Sequence, residues 1–388
     1  MESKNYEFTK LHTQIAKGVA VTLMMIHHLF AFPERIQNVT YIPMLHFWKF
    51  GVNQNTSMEY FLGNFANICV AMYIFLSGYG LYKSSLKKEN FTINDSIKKM
   101  MKFLTNYWVV LILFVPIGLI FFRGDNGYHL SIVEFMANFF TLSSSYNYEW
   151  WFVRLYIELL LLFPLIKRML TGGLVSSFAK SFGIYILAMV VVVLDIPLIE
   201  SFRGNFIYED IMDILFWQMT FCMGFIAAKF NLFNYITGQI ARMKLDKKIF
   251  YIIIILVIIY SRIELSFICA IIGKGNARYG DFILAPTFIL VCTNLIHGLK
   301  GENIILVLGK NSTNIWLTHT FFCYYYFQKI VFLPKLSILI LIWLATLSLI
   351  SSTLVNYVIK SSEVLLKGID LSRSSKERCK LKNFKGGY

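Results

Sequence analysis

The sequence predicts an all-α polytopic membrane protein of about ten transmembrane helices, with the N-terminus and C-terminus both cytoplasmic. Three observations carry that expectation. Hydrophobic residues make up 57% of the 388-residue chain, charged residues only 15%, and the mean hydropathy is +0.59; a soluble domain has about 25% charged residues. Apolar runs long enough to cross a bilayer recur from end to end. Lysines and arginines gather in alternate loops, as they do on the cytoplasmic side of membrane proteins.

The spans read at 15–32, 65–82, 103–122, 150–166, 181–199, 210–228, 249–270, 281–298, 312–330 and 336–358. The first is followed by polar loop rather than a small-residue cleavage site, so it is expected to stay as an anchor. Cations cluster in the N-terminal tail (Lys4, Lys10) and after the second span (Lys83, Lys87, Lys88, Lys98, Lys99, Lys102). Further clusters follow the fourth span (Lys167, Arg168) and the sixth (Lys229, Arg242, Lys244, Lys247, Lys248). The other loops carry few: Arg35, Lys49, Arg123, Arg203, Lys274 and Arg278. The net charge of +15 then reads as topology signal and contact with anionic lipids, not as a nucleic-acid footprint. The stretch 83–102 reads as a cytoplasmic hairpin loop whose second half forms an interfacial amphipathic helix. Arg262 and Glu264, two residues apart in the seventh span, cannot face each other on a helix and should find other partners. No repeat is visible at a fixed period. Residues 1–360 form one transmembrane domain, and 361–388 a basic cytoplasmic tail. The six cysteines (Cys69, Cys222, Cys269, Cys292, Cys323, Cys379) show neither CxxC nor zinc spacing. Five of them lie in apolar segments as small hydrophobes, and no metal is expected.

Several polar residues stand where lipid would penalise them. Lys17 and His28, with ten residues between them, lie in the first span, where an ionisable group marks function unless a partner explains it. A neutral imidazole can take a proton from a hydroxyl. Alone, His28 reads equally as an interfacial hydrogen-bonding group, and Lys17 as a snorkelling anchor. His27 points about 100° away from His28, so at most one of them should face the interior well. Lys99 and Lys102 share a helix face and could hold a phosphorylated cofactor as point charges, or simply anchor topology. Ser77 and Gly78 permit close helix approach or line a cavity. Arg154 and Glu158, four apart after Trp151, could neutralise each other or line a polar substrate cavity. His319 is a second intramembrane histidine, following Gly309 and Ser312.

Taken in order, these motifs resemble the membrane-bound acyltransferase-3 family. Lys17-Gly18 and His28 match its Arg-Gly followed by His, and Tyr73-Ile74-Phe75-Leu76-Ser77-Gly78-Tyr79 matches its FFxLSGF run. Lys99 and Lys102 stand for an Arg-x-x-Arg pair before Tyr107-Trp108, and Trp151-Phe152 with Pro164 match its Trp-Phe opening. Gly309, Ser312, Ile315, Trp316, Leu317 and His319 match Gly-x-x-Ser-x-x-Ile-Tyr-Leu-x-His, and the likeness spans about residues 10–360. Lysine replaces arginine at 17, 99 and 102, which removes the bidentate fork, and Tyr156 stands where many relatives have glutamate.

The resemblance implies an O-acyltransferase, most simply an O-acetyltransferase of the bacterial cytoplasmic membrane. Acetyl-CoA would be the donor, with its phosphates near Lys99 and Lys102, and His28, supported by Lys17, would do the catalysis. Ser77, Trp151, Arg154, Glu158 and His319 would line the substrate cavity. The acceptor would be a cell-surface polysaccharide or its lipid-linked precursor. Membrane lipids and the polysaccharide-synthesis machinery are the other expected partners, and no nucleic acid is. No hydrolase-like domain is expected after the bundle, so transfer to the acceptor would fall to the bundle itself or to a separate partner. Two alternatives stand beside this reading: a glycan or lipid-linked sugar transporter without chemistry, and the same fold with a succinyl donor.

Overall fold

The computed structural model describes residues 7–44, 57–88, 90–123, 128–193, 202, 204–243, 245–272 and 277–385, with side chains followed to residue 364. Lys4, Lys49, Arg203, Lys244, Lys274, the end of the fifth expected span (194–199) and the Cys379 side chain lie outside them. The described chain is helical, without a strand among the described residues. Its helices are α1 (Lys10–Phe30), α2 (Met58–Ala66), α3 (Ile68–Ser85), α4 (Ile93–Phe121), α5 (Ile132–Phe139), α6 (Trp151–Met169) and α7 (Leu174–Val193). They continue as α8 (Phe206–Lys229), α9 (Leu232–Arg242), α10 (Lys247–Ile272), α11 (Asp281–Ile296), α12 (Glu302–Thr320), α13 (Gln328–Val331) and α14 (Ser337–Lys385).

Among the described residues, seven segments are long and apolar enough to cross a membrane, on α2–α3, α4, α7, α8, α10, α11 and α14. Three of the expected spans are absent from that set: α1, α6 and α12, of 21, 19 and 19 residues. These three carry most of the predicted site. α1 packs against α2, α3, α11, α12 and α14, so its polar side chains meet protein rather than lipid. Of the lipid-compatible helices, α10 is the least buried and exposes Ile249, Ile252, Ile253, Leu256 and Val257, whereas α3 and α8 are largely enclosed.

Glycines set the two closest helix crossings. A Cβ on Gly18 of α1 would lie 2.1 Å from the Ile305 carbonyl oxygen of α12, and one on Gly309 of α12 would lie 2.0 Å from that of Gln14. α3 and α8 repeat the arrangement: a Cβ on Gly78 would meet the Phe221 carbonyl at 2.0 Å, and one on Gly224 that of Phe75 at 2.0 Å. Only glycine admits backbones at this separation.

Three expectations are corrected. The ninth span, expected at 312–330, is α12 at 302–320, followed by a π-turn at Phe321–Tyr325. Its middle, from Lys310 to Asn314, is polar and escaped an apolarity reading. Within the bundle, however, Asn314 donates to Asn356 (3.0 Å) and Ser352 donates to Asn311 (2.9 Å), so these groups form a polar seam with α14. No separate interfacial helix precedes the third span: α4 starts at Ile93, where a Thr92–Asp95 capping box satisfies its first amides, and runs unbroken to Phe121. α14 continues through the expected basic tail to Lys385. His27 and His28, expected to diverge, both face protein (below). Arg262 does find another partner. It grips Asp281 through Nε (2.9 Å) and Nη2 (3.0 Å) and donates to the carbonyls of Asn64 and Phe65, tying α10 to α11 and to the end of α2. The cysteines with described side chains are free, and four of the five are buried.

Candidate active site

The Gly18–Gly309 crossing determines where the two histidines meet. His28 follows Gly18 by ten residues, and His319 follows Gly309 by ten. α1 and α12 run in the same direction, so each histidine stands about 15 Å beyond the crossing. There His28 Nδ1 and His319 Nε2 lie 2.8 Å apart, in side chains 7% and 0% exposed.

The partners of His319 dictate how the pair is protonated. Its Nδ1 faces the carbonyl oxygens of Trp316 (2.8 Å) and Ile315 (3.1 Å). Carbonyls only accept, so Nδ1 carries the proton, and Nε2 of the neutral ring is an acceptor. His28 must therefore donate from Nδ1, which leaves its Nε2 as the basic nitrogen. That nitrogen is 3.4 Å from Glu149 Oε2. The other oxygen of Glu149 accepts from Arg35 Nη1 at 2.7 Å. The result is a relay of backbone carbonyl, His319 and His28, ending in a base flanked by a carboxylate.

Glu149 is held from α12. It sits in a short helical turn, Tyr148–Trp150, just before α6. Asn147 donates to Thr320 Oγ1 (2.8 Å) and Trp150 Nε1 to the Leu317 carbonyl (3.1 Å), while the Tyr148 amide donates to the Tyr325 hydroxyl (3.0 Å). Burial raises the Glu149 carboxyl, but His28 in its protonated form and Arg35 beside it more than reverse this and bring it down to about 2. The carboxylate is thus ionised at neutral pH and can stabilise positive charge appearing on His28. Arg35 follows α1 in the turn Pro33–Arg35 and is steadied over the Phe32 and Tyr324 rings at 4.7 and 4.9 Å.

This group opens on a cavity of about 380 Å³, the histidine chamber, which also holds His27, Trp151, Asp213 and Arg278. His27, 8% exposed, lines the same chamber as His28, because α1 is enclosed at this level and has no lipid-facing side. Its ring donates from Nδ1 to the Gly63 carbonyl (2.8 Å) and accepts at Nε2 from Asn67 (3.3 Å), so both nitrogens are engaged.

A second cavity, of about 350 Å³, lies toward the N-terminal end of α1. Lys17, Lys99 and Lys102 line it together with Ser77, Asn106 and Tyr156. Lys17 therefore belongs with the two α4 lysines and not beside His28. Lys99 Nζ donates to Ser84 Oγ (2.9 Å), and Ser77 Oγ donates to the Tyr73 carbonyl (2.7 Å). Tyr156, in place of the expected glutamate, gives this wall an aromatic rather than an anionic surface.

Arg154 and Glu158 line a third cavity, of about 300 Å³. Arg154 Nε donates to Glu158 (3.1 Å), its Nη2 pairs with Asp210, and its guanidinium stacks on Phe206. Trp151 and Asp213 belong to the walls of both this cavity and the histidine chamber. The structure thus joins His28 to His319 and groups Lys17, Lys99, Lys102 and Ser77. Arg154 and Glu158 lie to one side, linked through Trp151. Glu149 and Arg35 were missed in the sequence. Arg35 had been counted as loop charge, and the one available hint for Glu149 was a carboxylate directly before the Trp-Trp that opens α6.

The sequence model of a family described as an acyltransferase domain (Acyl_transf_3) matches residues 14–360, and the chain belongs to that family. It is a multi-pass membrane acyltransferase. Comparison with curated proteins and with solved structures returned no match.

Proposed function

We propose that this acyltransferase moves an acetyl group from acetyl-CoA across the membrane to a hydroxyl of a cell-surface polysaccharide or its lipid-linked precursor. The observation that carries the reading is the adjacency of two unlike cavities in one bundle, one lined by three lysines and one by His28 and Glu149, with His319 buried behind His28. With both termini in the cytoplasm, the lysine chamber faces the cytoplasmic donor and the histidine chamber the acceptor. Lys17, Lys99 and Lys102 would attract the phosphates of CoA as point charges. In the histidine chamber, Nε2 of His28 takes the proton of the acceptor hydroxyl as its oxygen bonds the acyl carbon. The carbon–sulfur bond then breaks, and the same proton passes from His28 to the leaving thiolate, so the sequence closes on an ester and free CoA thiol. Glu149 stabilises the transient imidazolium, and His319 fixes the ring.

Membranes containing the protein should release CoA thiol from acetyl-CoA only when the glycan is supplied. Release without glycan, or none with it, would defeat the proposal. Lys99→Glu with Lys102→Glu should raise the apparent KM for acetyl-CoA, more at low salt than at high. Arginine at both positions should preserve it. Unchanged donor kinetics in the glutamate variant would reduce these lysines to topological anchors.

A further inference from the structure

Tyr73, Phe152 and Trp316 belong to the walls of both the lysine chamber and the histidine chamber. They come from three helices, α3, α6 and α12, and so surround the junction rather than line one side of it. Phe152 and Trp316 meet edge to face with ring centroids 5.3 Å apart, and each is 8% exposed. Phe103 stacks behind Trp316 at 6.1 Å, Tyr156 stacks against Phe152 at 6.3 Å, and the Tyr73 hydroxyl donates to the Lys17 carbonyl at 3.4 Å. Each ring is thus backed by another group and cannot swing aside without breaking a contact.

We propose that Tyr73, Phe152 and Trp316 form an aromatic collar that selects the acyl group by size, admitting acetyl or propionyl to His28 and excluding longer chains. The inference rests on the proposed thioester donor. Each chamber alone has the volume of sites that hold whole small molecules, so neither can discriminate among short acyl groups; the junction can. A methylene that a rigid wall cannot accommodate changes turnover by about 10-fold or more.

The test compares acetyl-, butyryl- and hexanoyl-CoA as donors in membranes carrying wild type, Trp316→Tyr or Phe152→Leu. The reading is the ratio of butyryl to acetyl turnover. Trp316→Tyr keeps a ring in place and Phe152→Leu keeps an apolar side chain, so two mild changes made on different helices probe the same opening. In wild type the ratio should be below about 0.1, and both variants should raise it about 10-fold. A ratio unmoved in both variants would overturn the collar. So would loss of all transfer in both when the proteins still extract as folded species, because a widened opening must still pass acetyl. Wild-type membranes inert toward every thioester would instead sink the donor assignment, and the collar with it.

Discussion

His28→Ala should lower acyl transfer about 10²–10⁴-fold, the usual contribution of a positioned general base, while the protein still inserts and accumulates. The substitution removes the one ring whose free nitrogen is defined by the relay, and the neighbouring ring does not replace it: both nitrogens of His27 are occupied by Gly63 and Asn67. His27→Ala should therefore cost less. Glu149→Gln should fall between the two, because the amide keeps the shape but loses the charge that faces the imidazolium. Initial rates of CoA thiol release, normalised to protein recovered from the membrane, give the comparison. Wild-type rates in His28→Ala would remove His28 from the reaction.

Gly309→Val should have an effect of similar size on activity, and unlike His28→Ala it should also destabilise the bundle. Even the first carbon of the new side chain would lie 2.0 Å from the Gln14 carbonyl oxygen. That oxygen belongs to a backbone and cannot rotate away, so α1 and α12 must separate. Overpacking in a core costs about 1–3 kcal/mol, and the relay lies on the same pair of helices, so the 2.8 Å bond between His28 and His319 should be lost with the register. Gly183→Ala is the control: a Cβ there meets nothing within 4 Å, and alanine suits a helix better than glycine. Thermal denaturation in detergent, read beside turnover, should show both properties falling in Gly309→Val and neither in Gly183→Ala. Full activity in Gly309→Val would mean that the crossing does not set the site.

Much of the fold was legible because apolarity and charge bias are local properties. α4, α7, α8, α10, α11 and α14 announce themselves by composition. α12 was misplaced by ten residues for the opposite reason: Asn311 and Asn314 are polar in sequence but paired with α14 in space. The site divides the same way. Lys17, His28, Ser77, Lys99, Lys102 and His319 could be picked out because ionisable or small residues stand in or beside apolar runs. Glu149 and Arg35 lie in polar loops, where charge is ordinary, and their 2.7 Å contact spans 114 positions of chain. The grouping of Lys17 with Lys99 and Lys102 was equally invisible, since the sequence places it on the same helix as His28, and only the two cavities separate them.

Sidedness is decisive, because the proposed reaction needs donor and acceptor on opposite faces of one bundle. Sealed inside-out membrane vesicles carrying the protein and its glycan acceptor are given acetyl-CoA labelled in the acetyl group, from outside only. The account predicts label on glycan protected within the vesicles, removable by mild alkali as an ester is, and absent with His28→Ala. Glycan that reaches the lumen normally but carries no label from any acyl-CoA would contradict it, and would favour a carrier without chemistry.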